Sequence, residues 1–124
     1  MAEHVPVVMV VDDEESLREL ANAIFTSEGM EVITVASGQE CLDALKSKMP
    51  DVILMDMMMP GMSGRETIEK IRQDEKNKNL KIIFLTVTRF SDTGKAALDS
   101  LHVLDYITKP FDNDALVSRV KSVL

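Results

Sequence analysis

Apolar runs of five to seven residues alternate along the chain with longer segments in which apolar residues recur every three or four positions. The runs are predicted to be strands, at residues 5–11, 31–36, 51–57, 81–87 and 104–108. Between the first two runs, apolar residues recur every three or four positions and indicate an amphipathic helix: Leu17, Leu20, Ala21, Ile24 and Phe25. Gly29 then marks the end of this helix. Strands and helices therefore alternate from the start of the chain.

Further helices are predicted between the later strands. Two S-x-x-E capping boxes precede apolar repeats, Ser37 with Glu40 and Ser63 with Glu66. A fourth helix is predicted over residues 91–101, and a fifth begins near Asp112 with one apolar face formed by Ala115, Leu116, Val120 and Val123. The order βαβαβαβαβα, with strands that are apolar throughout, predicts an α/β fold in which helices cover both faces of a doubly wound, five-stranded parallel sheet.

Polar residues interrupt this pattern mainly where strands end. Asp12 and Asp13 end the first strand, Asp56 lies near the end of the third, Thr86 ends the fourth, and Lys109 follows the fifth. Doubly wound sheets bind ligands outside the carboxyl ends of their strands, where the strand order reverses. In the flavodoxin-like order 2-1-3-4-5, that point lies between strands one and three, so the three aspartates are expected to face one another there.

Three neighbouring carboxylates repel one another unless a cation lies among them. Oxygen ligands favour a hard ion that prefers octahedral geometry, and we expect Mg²⁺. With Lys109 as a cation and Thr86 as a hydroxyl donor, the set contains the parts that phosphoryl transfer requires. Taken singly, each has an ordinary alternative: Asp12 and Asp13 could cap the first helix, Lys109 could be a surface lysine, and Thr86 a plain strand residue.

Composition narrows the function classes. The 124 residues suit a single domain, and we expect one domain over residues 1–124. The single cysteine, Cys41, excludes an internal disulfide and favours a reducing, cytoplasmic location. The N-terminal apolar run is too short for a signal sequence or a membrane span. A net charge of −7 with scattered basic residues disfavours direct nucleic-acid binding.

Four motifs resemble those of the receiver domain of two-component response regulators, and in length the chain is similar to stand-alone, chemotaxis-type receivers. They are VVDD at 10–13, DVILMDMMMPGMSG at 51–64, IIFLT at 82–86 and DYITKPF at 105–111. The resemblance implies that Asp56 accepts a phosphoryl group from a phosphohistidine of a sensor histidine kinase. It also implies that Asp13 and the backbone carbonyl of Met58 ligate Mg²⁺ beside Asp56, with Asp12 acting through a metal-bound water, and that Lys109 pairs with a phosphoryl oxygen.

The resemblance also implies an output. Thr86 would swing towards the phosphoryl group and Tyr106 would follow, changing the face of the fourth helix, fifth strand and fifth helix on which a downstream protein docks. A cis peptide would precede Pro110. The expected molecule is a monomer or weak dimer that does not insert into membranes and whose only chemistry is its own phosphorylation and slow dephosphorylation.

Three residues, at two places in the chain, depart from the family pattern. Val87 replaces the usual small residue after the switch threonine, which would narrow access to Asp56. His102 and Val103 stand where Gly-Ala is common, so His102 would have to close the fourth helix in a left-handed conformation that glycine adopts more easily.

Two other function classes fit the sequence less well. A phosphatase similar to the haloacid dehalogenases would need a D-x-D motif, but Asp56 is followed by Met57 and Met58. A nucleotide or flavin site would need a glycine-rich loop after the first strand, where Asp12 and Asp13 would instead repel phosphate.

Overall fold

The computed structural model describes residues 4–86 and 100–124. Its centre is a parallel sheet of five strands in the order β2-β1-β3-β4-β5, which confirms the predicted fold. The strands are β1 (Val7–Val11), β2 (Glu31–Val35), β3 (Val52–Asp56), β4 (Ile82–Thr86) and β5 (Asp105–Thr108). Each lies within one of the predicted apolar runs, and β1, β3 and β4 are buried along their whole length.

Helices cover both faces of this sheet. They are α1 (Glu15–Ser27), α2 (Gly38–Leu45), α3 (Gly64–Gln73) and the C-terminal helix (Asn113–Val123), with a 3₁₀ turn at Glu75–Asn77. Both capping boxes are confirmed, because Ser37 Oγ accepts the Glu40 N–H and Ser63 Oγ accepts the Glu66 N–H, each at 3.1 Å. The helix predicted over residues 91–101 lies outside the described residues except for its last two positions, and so does Val87.

The alternating side chains of the strands form two separate cores. One face of the sheet packs against α1 and the C-terminal helix through Val10, Leu54, Leu85, Phe25, Leu116 and Val120. The other packs against α2 and α3 through Met9, Met55, Phe84, Cys41, Ile68 and Ile71. The prediction for the C-terminal helix was wrong at Ala115, which is exposed. Burial on both faces explains why the strand sequences are apolar throughout rather than alternating.

The turn before β5 has the expected left-handed residue. His102 adopts φ 57°, a region in which only glycine is free of steric cost. Within the described residues, the structure contains no helix that is both long and apolar enough to cross a membrane.

Candidate functional site

The carboxyl ends of β1 and β3 bring the three aspartates together. The two strands are neighbours in the sheet, so that Asp12, directly after β1, lies beside Asp56, the last residue of β3. Each of Asp12, Asp13 and Asp56 offers a carboxylate oxygen, and these oxygens all lie within 4.8 Å of one another. Asp12 and Asp56 are buried and Asp13 is exposed. An all-oxygen donor set of this kind fits a hard divalent cation such as Mg²⁺.

Asp12 is fixed by backbone and side-chain partners. Its Oδ1 accepts the Glu14 N–H at 2.9 Å, and its Oδ2 lies 2.7 Å from Lys109 Nζ. The N-cap position of α1 is Glu14, which makes no side-chain capping bond. Neither Asp12 nor Asp13 therefore occupies the N-cap position of α1.

Of the two buried carboxylates, Asp56 is the one whose charge is less well compensated. Its Oδ1 accepts the Met58 N–H at 3.3 Å and lies 3.5 Å from Lys109 Nζ, and only 6% of its side chain is exposed. Burial, followed by the negative charge of Asp12, raises the pKa of Asp56 from 3.8 to about 6, against the opposing effect of Lys109. This carboxylate is therefore more basic than an ordinary aspartate.

Lys109 provides the positive charge at the centre of the site. Its side chain is 10% exposed, and its Nζ also lies 3.7 Å from Glu14 Oε1. Burial would lower the pKa of Lys109, but the hydrogen bond and charge of Asp12, with the charges of Asp56 and Glu14, raise it above its ordinary value. The ammonium therefore stays charged while it is shared among three carboxylates.

The backbone around Asp56 leaves no space for a different residue at the start of α3. Gly64 donates its N–H to the carbonyl oxygen of Met57 at 3.1 Å. A Cβ added at Gly64 would lie 2.2 Å from the carbonyl oxygen of Asp56, and backbone atoms cannot yield as a flexible side chain would. Met58, in the same loop, has a side chain that is 69% exposed.

The remaining predicted residues lie on the strands beside β3. Thr86 ends β4 and is buried, and its carbonyl oxygen accepts the Lys109 N–H at 2.6 Å. The peptide between Lys109 and Pro110 is cis, as expected. Tyr106 lies on β5, where it pairs in register with Phe84 and is half-buried against the core on the α2 and α3 side. Tyr106 thus lies on β5, which β4 separates from the strand that carries Asp56.

Sequence reasoning missed two residues that support the site. Glu14 contacts Lys109, as described above, and Arg18 donates from Nη1 to the carbonyl oxygen of Asp12 at 2.8 Å. Arg18 lies one turn into α1, so its spacing from Asp12 was a signal that could have suggested this contact. At the opposite end of the sheet, His4 Nε2 lies 2.8 Å from Asp51 Oδ2.

Comparison with known proteins shows that the chain is similar to response regulators. The family model described as the response regulator receiver domain matches residues 8–121. The phosphate regulon transcriptional regulatory protein PhoB of Rhizobium meliloti is 36% identical over 119 residues, which cover 96% of this chain and 52% of that protein. The DNA-binding transcriptional regulator NtrC of Klebsiella pneumoniae is 37% identical over 114 residues, 92% of this chain and 24% of that protein. The chain thus spans about half the length of the first relative and about a quarter of the second.

Solved structures agree with this family assignment. The chemotaxis protein CheY4 of Vibrio cholerae superimposes with a TM-score of 0.91 at 30% identity, and the match covers 98% of this chain and 100% of that one. A CheY-like response regulator receiver domain protein from Methanospirillum hungatei has a TM-score of 0.80 at 37% identity, with 94% of this chain and 91% of that chain covered.

Proposed function

This chain belongs to the response regulator receiver domain family of two-component signalling, whose members are phosphorylated on an aspartate, and we propose that Asp56 is the phosphorylated residue here. The observation that carries the proposal is the position of its carboxylate at the carboxyl end of β3, buried and 3.5 Å from Lys109 Nζ. Asp12 is already held at both oxygens, and Asp13 is exposed. Of the three carboxylates, Asp56 thus combines burial with the weakest compensation of its charge.

The chemistry follows from the carboxylate of Asp56. With a pKa of about 6 in the metal-free protein, it is mostly ionised near neutral pH, and the ionised carboxylate is the form that acts as a nucleophile. An Asp56 oxygen attacks the phosphorus of a phosphohistidine, and a P–O bond forms while the P–N bond breaks. The electron pair leaves with the imidazole nitrogen, which then takes a proton from water. In slow hydrolysis a water oxygen bonds to phosphorus as the P–O bond to Asp56 breaks. The Asp56 carboxylate is regenerated, and inorganic phosphate leaves with one proton of the water while the other passes to solvent.

The residues around Asp56 have separate roles in this proposal. Asp12, Asp13, Asp56 and the backbone carbonyl of Met58 would hold Mg²⁺, which when bound neutralises negative charge on the phosphoryl oxygens. Because both Asp12 oxygens already have partners, a role through a water molecule suits Asp12 better than direct ligation. Lys109 would bind a phosphoryl oxygen, since its Nζ already contacts Asp56 Oδ1.

The proposed output is a change in protein binding. Thr86 ends the strand next to Asp56 and would bond to the phosphoryl group, and Tyr106 would respond on β5. A cavity of about 480 Å³ between β5 and the C-terminal helix, lined in part by Tyr106, Pro110 and Arg119, supports a docking face that includes these two elements. The phosphodonor would be a sensor histidine kinase, and residues 1–124 would act as one receiver domain, a monomer or weak dimer in the cytoplasm.

The proposal is tested by phosphorylation in vitro. The chain is incubated with Mg²⁺ and a small phosphodonor such as acetyl phosphate, and bound phosphate is located by mass spectrometry. We expect a single alkali-labile phosphate on Asp56, which is lost in Asp56→Asn and retained in the control Asp114→Asn, where the exchanged carboxylate is exposed on the C-terminal helix. Incorporation that survives Asp56→Asn would overturn the proposal. Rapid turnover of added phosphate esters would instead indicate an enzyme with an external substrate.

A further inference from the structure

Arg72, in the last turn of α3, binds backbone carbonyls from two separate segments. Its Nη1 donates to the carbonyl oxygens of Asn77 at 3.2 Å and Lys78 at 3.0 Å, both in the connection that follows α3. Its Nε donates to the carbonyl oxygen of Leu101 at 3.1 Å, and its Nη2 to that of His102 at 3.2 Å. One half-buried guanidinium therefore ties the end of α3 to the turn that precedes β5.

The turn at His102 depends on such a donor. Residue 100 is helical, and the carbonyl groups at the end of a helix have no partner within it. His102 adopts φ 57°, which a residue with a Cβ maintains only when its surroundings hold it there. The carbonyls of Leu101 and His102 belong to the two peptide groups that flank the His102 Cα. Arg72 thus binds both of the peptide groups whose orientation defines this strained residue.

The same turn leads directly into the strand that carries Tyr106. Leu104 donates its N–H to the carbonyl oxygen of Ile82 at 2.9 Å, and β5 begins at the next residue. Leu101, Val103 and Tyr106 all pack against the core on the α2 and α3 side. A displacement of the turn would therefore change the packing of Tyr106.

At its other end, α3 lies against the candidate phosphorylation site. The helix begins at Gly64, which contacts the carbonyl group of Asp56 with no space for a side chain between them. It is ten residues long and ends just beyond Arg72. Gly64 and Arg72 thus lie near the two ends of one helix, so α3 connects the backbone of Asp56 to the turn that Arg72 binds.

We propose that Arg72 is a positioning residue for Tyr106, which holds the left-handed turn at His102 in place on α3 and so couples the state of Asp56 to the environment of Tyr106. This inference rests on the proposed function, because it requires that Asp56 change state. A purely structural role for Arg72 would affect stability and leave the response of Tyr106 to the state of Asp56 intact.

The composition of the chain provides a specific probe. Tyr106 is the single tyrosine and the chain has no tryptophan, so tyrosine fluorescence reports on Tyr106 alone. Fluorescence is recorded before and after addition of Mg²⁺ and beryllofluoride, a mimic of the phosphoryl group, to the unmodified chain, Arg72→Gln and Lys70→Gln. Lys70 is the matched control, because it is exposed in the same part of α3 and its substitution removes the same charge.

We expect the unmodified chain and Lys70→Gln to give equal fluorescence changes. Arg72→Gln should take up phosphate on Asp56 normally but give a change about threefold smaller, in line with typical coupling between sites. In Arg72→Gln/His102→Gly the glycine adopts the left-handed conformation unaided, but the turn is no longer tied to α3, so the change should stay about threefold smaller. This double variant also provides the test if Arg72→Gln alone does not fold.

Other results would contradict either the inference or the proposed function. A full fluorescence change in folded Arg72→Gln would overturn the inference, even if the variant is less stable to urea. So would a double variant that folds, takes up phosphate and gives the full change, because the tie to α3 would then not be needed. If the unmodified chain is phosphorylated but Tyr106 fluorescence does not respond, the inference and the proposed response of Tyr106 fail, while the proposed phosphorylation of Asp56 stands. If the unmodified chain takes up no phosphate, the proposed function itself fails.

Discussion

Replacing Asp56 with asparagine should stabilise the metal-free protein at neutral pH. Asparagine has nearly the shape of a protonated aspartate, so Asp56→Asn resembles a chain in which this carboxyl never ionises. In the unmodified chain, burial and the neighbouring charge of Asp12 disfavour the ionised form and raise the pKa of Asp56 to about 6. The difference in unfolding free energy between the two chains therefore measures the cost of holding a carboxylate at this position.

The size and sign of this difference follow from the two pKa values. A tenfold change in proton affinity corresponds to about 1.4 kcal/mol, so the rise from 3.8 to about 6 corresponds to an upper value of about 3 kcal/mol. Because water reaches the edge of the sheet and screens the charges, we expect about 1 to 3 kcal/mol. The folded state binds the proton more strongly than the unfolded chain, so this group destabilises the fold increasingly as pH rises from 3.8 to about 6. Above that window the cost is complete, and below it the cost is absent.

Urea unfolding with a chelator present measures the effect. At about pH 7.5 the midpoint for Asp56→Asn should lie above that of the unmodified chain, and the gap should narrow as pH falls to about 4.5. The control Asp114→Asn, on the exposed side of the C-terminal helix, should not show this pattern. Mg²⁺ should stabilise the unmodified chain more than Asp56→Asn, because the ion compensates the charge that the variant lacks. A variant less stable at neutral pH, or a difference that does not vary with pH, would refute the reasoning.

Three further changes test the rest of the site. Lys109→Gln leaves two buried carboxylates without their cation and should lower the unfolding free energy by about 3 kcal/mol at neutral pH; unchanged stability to urea would contradict this. Asp13→Asn, at an exposed position, should alter metal-free stability by less than about 0.5 kcal/mol but weaken Mg²⁺ binding in calorimetric titrations, and equal affinity would argue against Asp13 as a ligand. Gly64→Ala should lower the unfolding free energy measured in urea by about 1 to 3 kcal/mol, because the added Cβ would collide with the Asp56 carbonyl oxygen. A variant more stable than the unmodified chain would contradict this.

The sequence was sufficient to predict features that depend on local patterns. Strand β3 was expected within residues 51–57 and occupies Val52–Asp56. A short, nearly continuous apolar run is typical of a parallel strand that is buried on both faces. The starts of α2 and α3 were marked by Ser37 and Ser63, whose hydroxyls bind the N–H groups three residues later. The meeting of Asp12 and Asp56 followed from a general rule about where parallel sheets reverse their strand order.

Pairings between groups that lie far apart in the sequence could not be predicted in this way. The contact of His4 with Asp51 joins residues far apart in sequence, and many other carboxylates were equally available to that imidazole. The hydrogen bonds from Arg72 to Leu101 and His102 depend on how the turn before β5 lies against α3, which no periodicity specifies. Such contacts are set by tertiary geometry after the elements have packed.

The division of Lys109 between two aspartates belongs to this second class, and it bears most directly on function. Sequence reasoning placed the lysine among the acids but could not say which one it binds more closely. Its Nζ lies 2.7 Å from Asp12 and 3.5 Å from Asp56, so the carboxylate proposed to accept the phosphoryl group is the one that the lysine neutralises less. A contact between Lys109 and a phosphoryl oxygen would have to compete with Asp12. Asp12 would still be held by the Glu14 N–H at its other oxygen, so the lysine could turn towards the phosphoryl group without releasing the β1–α1 connection.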